Sequence, residues 1–135
     1  MKNISLPVWT CVALQQVIAY TWYSNLLFGK IWAAQFGGLI GAYGFTAAFF
    51  MMSVTASLLM TRMMAWIFPK IGIVTVGKGL LVGALLWTAF AGPVLAAHEI
   101  GMGLTWQAIL IDTSKELAAF MLTGVILTAW KPKTA

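Results

Sequence analysis

Acidic side chains are nearly absent from this chain. Its 135 residues include three, Glu99, Asp112 and Glu116, against eight lysines and arginines. Charge of either sign is scarce, at 8% of residues, where a soluble domain carries about a quarter. So few charges cannot clothe a globular surface in water, which excludes an ordinary soluble domain. Cysteine occurs once, as Cys11 within an apolar run, so an internal disulfide and Cys-based redox or zinc motifs are excluded. A small buried apolar role is expected for it. The single histidine, His98, stands beside Glu99 without a second histidine, too few ligands for zinc; the pair reads as a solvated outer loop. No metal site and no cofactor are expected, and Met51, Met52, Met60, Met63 and Met64 read as adaptable apolar filler.

The net charge of +5 raises nucleic acid as a partner, but that reading needs basic residues gathered on one face or stripe. Here they stand singly at the ends of apolar runs, where anionic headgroups and membrane topology account for them. No nucleic-acid partner is expected.

Apolar residues are what the chain has in quantity: 61% of the sequence, with a mean hydropathy of +0.93. A membrane-spanning helix needs about 20 mostly apolar residues, and four runs reach that length, at 6–28, 39–62, 71–97 and 105–130. The expected fold is all-α, an integral membrane four-helix bundle forming one domain over 1–135, with the lipid bilayer as its main partner. The first run is too long for a signal peptide and lacks a small-x-small cleavage site, so it is expected to remain as a span. Lys2, Arg62, Lys70, Lys78, Lys131 and Lys133 fall on one side of such a bundle and Lys30 on the other. Six against one places the lysine-rich side and both termini in the cytoplasm, across the inner membrane. Trp9, Trp22, Trp32, Trp66, Trp106 and Trp130 fall near span ends, as interfacial anchors do, while Trp87 lies mid-span and reads as packing.

Polar groups inside spans are costly in lipid, so they face the bundle interior and often mark function. Asp112 and Glu116 are four apart on one face of the last span, with Lys115 three beyond Asp112. At about 1.5 Å per residue, Asp112 lies on the order of 10 Å along that helix. Lys115, or Lys30 at the outer end of the first span, is the expected counter-charge, in an ion pair that would lock helix packing, and Gly29 an expected helix C-cap. Of Gln15 and Gln16, mid-way along the first span, at least one needs a partner within the bundle, because a lipid-facing amide is unsatisfied. Thr46, Ser53, Thr55, Ser57 and Thr61 on the second span can bond back to their own helix or across to a neighbour, and read as packing residues. The candidate ligand or ion site therefore comprises Asp112, Glu116, Lys115, Lys30, Gln15, Gln16, Trp22, Tyr23, Ser24 and Asn25; no catalytic residue is assigned. Gly37 with Gly41 and Gly79 with Gly83 are small-xxx-small pairs that permit close helix approach, within the bundle or at a homo-oligomer seam.

The run Trp22-Tyr23-Ser24, followed by Leu27-Phe28-Gly29-Lys30 and Trp32, resembles the signature of a bacterial membrane family known as domain of unknown function 1761. Leu110-Ile111-Asp112, with Gly124, Ile126-Leu127 and Trp130, is similar to that family's last helix. Asn25 stands where the family commonly has proline, and Thr113-Ser114 where a glycine-tyrosine pair is common. The resemblance implies a small four-span protein and carries no reaction.

Three classes of function compete. A small transporter, channel or ligand-binding protein would place its polar site between spans one and four. A non-catalytic membrane scaffold or partner subunit would use the same charges structurally and associate through its glycine faces. An intramembrane enzyme would need a nucleophile, base or metal set, and no Ser/His/Asp arrangement or HExxH is present. The expectation is a non-enzyme of the first class. Against a carrier, the two halves show no inverted repeat, and Gly92-Pro93 is the sole broken-helix signal.

Overall fold

The computed structural model describes residues 5–35 and 46–130. Lys2, Gly37, Gly41, Lys131 and Lys133 lie outside them. The described residues are α-helical with one π-helical turn and no strand: α1 Ser5–Trp22, α2 Gly29–Ala34, α3 Ala47–Lys70, α4 Val76–Leu86, α5 Gly92–Gly101 and α6 Trp106–Ala129. The π-helical turn Trp87–Ala91 joins α4 to α5.

Helix α1 buries Val8, Cys11, Val12 and Gln15, a spacing of three and four residues that puts them on one stripe. α1 packs against α3, which buries Thr61, Met64 and Phe68, and against α6, which buries Ala119 and Thr123. Cys11 is wholly buried, as expected of a small apolar residue. The Gln15 amide donates to Thr61 Oγ1 (3.1 Å) and Thr123 Oγ1 (2.9 Å), so one side chain ties three helices. Gln16 donates to Ser57 (3.1 Å) and accepts from Ser53 (3.0 Å). Both amides thus find partners inside, since an unpaired amide in an apolar setting is costly.

Within the second apolar run, α3 begins at Ala47. Thr46 caps α3 through a bond from the Phe49 amide (3.1 Å), and the helix continues to Lys70. Arg62 therefore stands eight residues inside α3, not in the following turn. The Thr46 hydroxyl satisfies an amide that a helix start leaves unpaired, and this cap sets where the helix begins.

Gly79 and Gly83 of α4 pack within the fold, against Gly124 and Phe120 of α6. A Cβ on Gly124 would stand 2.7 Å from the Gly79 carbonyl carbon, and one on Gly83 would stand 2.5 Å from the Phe120 carbonyl oxygen. The two backbones touch directly, which only glycine allows.

Gly92-Pro93 does not break its helix. The Gly92 amide bonds to the Trp87 carbonyl, five residues back, and the helix resumes beyond the wide turn. Proline has no N–H and its ring crowds the carbonyl four residues before it, a conflict that the wider turn relieves. The Trp87 ring lies against Gly92, where a Cβ would come within 2.6 Å of it, so Trp87 is a packing residue. A π-helical insertion adds one residue to the turn and rotates all that follows by about 100°.

Candidate functional site

The first apolar run does not continue as helix to Phe28. α1 ends at Trp22, and the chain folds back through a tight turn held by Phe28 N to Trp22 O (3.1 Å) and Gly29 N to Ser24 O (2.9 Å). The Ser24 hydroxyl serves this turn, donating to Thr21 O (2.7 Å) and accepting from the Leu26 amide (3.2 Å). Gly29 opens α2 and is not a C-cap of α1. A Cβ on it would meet the Ser24 carbonyl oxygen at 2.7 Å, so the close return of the chain demands glycine here.

This fold-back aims three aromatic residues at α6. Trp22 Nε1 donates to Ile111 O (3.0 Å). The Tyr23 hydroxyl donates to Asp112 Oδ1, and Trp32 Nε1 donates to Asp112 Oδ2 (3.1 Å). The Tyr23 and Trp32 rings stand 4.9 Å apart at 54°. At the far end of α2, Gln35 accepts from the Thr105 amide at the start of α6 (3.3 Å). Trp22 and Trp32 therefore use their indole N–H groups internally, in contrast to the exposed Trp9, Trp66, Trp106 and Trp130.

Lys30 is exposed, forms no ion pair with Asp112 or Glu116, and does not line the cavity beside them. Among the described residues the ion pair is Lys115 with Glu116. Asp112 is held by neutral donors instead, because the fold-back turns Tyr23 and Trp32 inward and leaves Lys30 on the outer side of α2.

Glu99 corrects the expectation of a solvated loop. It belongs to α5, is 3% exposed, and its carboxyl is hydrogen-bonded to that of Asp112. Its Oε2 is buried without a hydrogen-bond partner among the described residues. His98, its neighbour, is exposed. The π-helical turn resets the face on which Glu99 arrives, a rotation that periodicity cannot anticipate. Scarcity was the usable signal: Glu99 is one of only three acidic residues.

All three line one cavity of about 540 Å³, together with Lys115, Gln16, Tyr23, Asn25 and Trp32. The three carboxylates also lie within electrostatic reach of Tyr23. Of the sequence-based candidates, Asp112, Glu116, Lys115, Gln16, Tyr23 and Asn25 meet here. Gln15 is spent on the α1–α3–α6 junction and lines an adjoining hollow of about 480 Å³ that shares Lys115 and Glu116. Trp22, Ser24 and Lys30 lie outside the lining, the first two as supports of the turn.

The arrangement sets three carboxyl groups against one ammonium in a partly enclosed space, so it favours a positive occupant. Thr113 and Ser114 take no part, since both hydroxyls bond to their own helix, at Ile109 O (2.6 Å) and Ile111 O (3.1 Å).

The model of the family described as a protein of unknown function, DUF1761, matches residues 6–128. The chain belongs to that family. The DUF1761 match runs from α1 to the last turn of α6, so the aromatic fold-back and all three acidic residues fall inside it. No curated protein and no solved structure matches the chain.

Proposed function

We propose that this DUF1761 protein is a small polytopic membrane protein of four spans. It binds a positively charged species in the cavity between α1, α5 and α6, is transport-like in kind, and is not an enzyme. One observation carries the reading: every acidic residue of the chain lines the same cavity.

The membrane part is supported by two helices long and apolar enough to cross a bilayer, Ala47–Lys70 and Val76–Gly101. Only 11% of each apolar window is buried, whereas the core helix of a soluble protein is mostly buried. Their outer faces carry Met51, Leu59, Met63, Leu81, Leu85 and Phe90, all exposed, which suits lipid and not water. The other two spans fall short of that apolar standard because they carry the polar interior. Gln15 and Gln16 interrupt α1, and every 18-residue stretch of α6 contains Asp112, Lys115 and Glu116. At about 1.5 Å per residue, the 24 residues of α6 extend roughly 36 Å, against about 30 Å of hydrocarbon.

Orientation follows from the basic residues, with both ends cytoplasmic in the inner membrane. In a Cys11→Ala background, Val74→Cys, in the exposed turn between α3 and α4, is expected to resist a membrane-impermeant maleimide in intact cells and to react in inverted vesicles. A cysteine at Met102 is expected to do the reverse. The opposite pattern rejects this topology, and equal labelling of both sites rejects a single orientation.

Binding is tested with the purified full chain in liposomes. Steps in proton, sodium, potassium or organic-cation concentration are expected to produce a charge displacement or internal pH change, reduced at least about ten-fold by Asp112→Asn. If no cation evokes a response and none raises the unfolding temperature, the cation-site reading fails. Of the two glycine pairs, Gly79 and Gly83 are already occupied within the fold, which leaves a scaffold role less to use.

A further inference from the structure

The cavity's own hydrogen-bond needs narrow the class of occupant. Each Asp112 oxygen already accepts a hydrogen bond, from Tyr23 and from Trp32, and Glu116 is paired with Lys115. Glu99 differs. It is 3% exposed, its carboxyl is hydrogen-bonded to that of Asp112, and its Oε2 has no donor among the described residues. Two carboxyl groups in a hydrogen bond share one proton, and a buried oxygen without a donor is destabilising, so an N–H group carrying positive charge can take that proton's place and satisfy both groups. The remaining walls are aromatic: Tyr20, Tyr23, Trp32, Phe49 and Phe50. Aromatic faces attract an organic cation and pack against its apolar body.

A bare metal ion fits poorly. Hard cations take six to eight oxygen ligands or a near-ideal octahedron, and the described carboxylates do not gather into a metal-holding group. The space of about 540 Å³ also far exceeds one small ion, since a water molecule occupies roughly 30 Å³. An anion would be repelled by the acidic cluster, and a neutral apolar molecule would leave Glu99 Oε2 without a donor.

We infer that the cavity binds a protonated amine with an apolar or aromatic body, its ammonium directed to Glu99 beside Asp112 and its body among the rings. This rests on the reading of the cavity as a cation site and gives that site its substrate class. Glu99 is then the residue that selects an amine over a neutral molecule of the same shape.

The test uses the purified full chain in nanodiscs near neutral pH, with binding followed by calorimetry and by fluorescence of the cavity tryptophan, Trp32. The probes are benzylamine, benzyl alcohol, benzyltrimethylammonium, sodium chloride and potassium chloride. Benzylamine is expected to bind saturably. Benzyl alcohol lacks the charge and benzyltrimethylammonium lacks the N–H, so each is expected to bind at least about ten-fold more weakly. Glu99→Gln is expected to weaken benzylamine at least about ten-fold, and His98→Ala, at the exposed neighbour, to leave it unchanged. Unfolding curves establish that both variants are folded, and the probe series on the unaltered protein stands without them.

Equal binding of benzyl alcohol, or an undiminished benzylamine affinity in folded Glu99→Gln, overturns the inference. If protons, sodium or potassium act on the cavity and benzylamine does not, the amine assignment falls while the cation-site reading stands. If no cation acts at all, both fall.

Discussion

Gly124→Leu is expected to leave almost no folded protein. Gly124 meets the Gly79 backbone with no intervening side chain, and a Cβ there would lie within 3 Å of the Gly79 carbonyl carbon. The obstacle is backbone on a packed helix, not the movable end of a side chain. The α4–α6 pair must separate, losing the contacts of Gly79, Gly83 and Thr128 along the same seam. Overpacking of a tight contact costs about 1–3 kcal/mol where neighbours can shift, and more than about 4 kcal/mol is expected where they cannot. The measurement is recovery of monodisperse protein in detergent, followed by unfolding in a denaturing detergent titration. Gly77→Ala is the control, because nothing lies within 4 Å of a Cβ there. It should keep or slightly raise stability, by about 0.5–1 kcal/mol. A Gly124→Leu protein that folds as well as this control would show that the α4–α6 contact is not what it is described to be.

Asp112→Ala is expected to loosen the aromatic fold-back. The change removes the acceptor of both the Tyr23 hydroxyl and the Trp32 indole, and each buried donor left unpaired costs about 1–3 kcal/mol. Together they should cost about 2–6 kcal/mol, less whatever Tyr23 recovers by turning to Glu99. The turn from Tyr23 to Phe28 relies on the same anchorage, so Trp32 emission should shift toward that of solvated indole. Asp112→Asn keeps one acceptor oxygen and should fall between the two states. Lys30→Ala, at the exposed residue that makes no ion pair with Asp112, should change neither stability nor emission. If Lys30→Ala destabilises as much as Asp112→Ala, the carboxylate is held by charge and the hydrogen-bonded description fails.

These two predictions rest on contacts of different legibility. The Gly79–Gly83 spacing announces a close approach, but nothing in it names Gly124 as the partner. Asp112 is conspicuous in an apolar run, and Tyr23 and Trp32 stand in the segment that resembles the family signature. Their pairing was hidden because it depends on α1 stopping at Trp22, six residues before its apolar run ends. Hydropathy sees Leu26, Leu27 and Phe28 as more of the same helix. The chain instead turns there, held by Ser24 and by the absence of a Cβ at Gly29. Glu99 was hidden for a related reason. Its face depends on the π-helical turn, and a single added residue defeats any count from the preceding helix.

By itself the sequence determined the all-helical character of the chain, its family, and the short roster of polar residues from which any site must be drawn. Those properties depend on composition and on local periodicity, which act within a few helical turns. The tertiary structure alone decided which of those residues meet. It replaced Lys30 with Tyr23 and Trp32 as the partners of Asp112 and moved Gln15 to a three-helix junction. It also brought Glu99 in to complete the cavity. The physical reason is that a helix interruption of one or a few residues, at Tyr23–Phe28 or Trp87–Ala91, rotates and redirects everything beyond it. Long-range pairing depends on that geometry far more than on the identity of the residues paired.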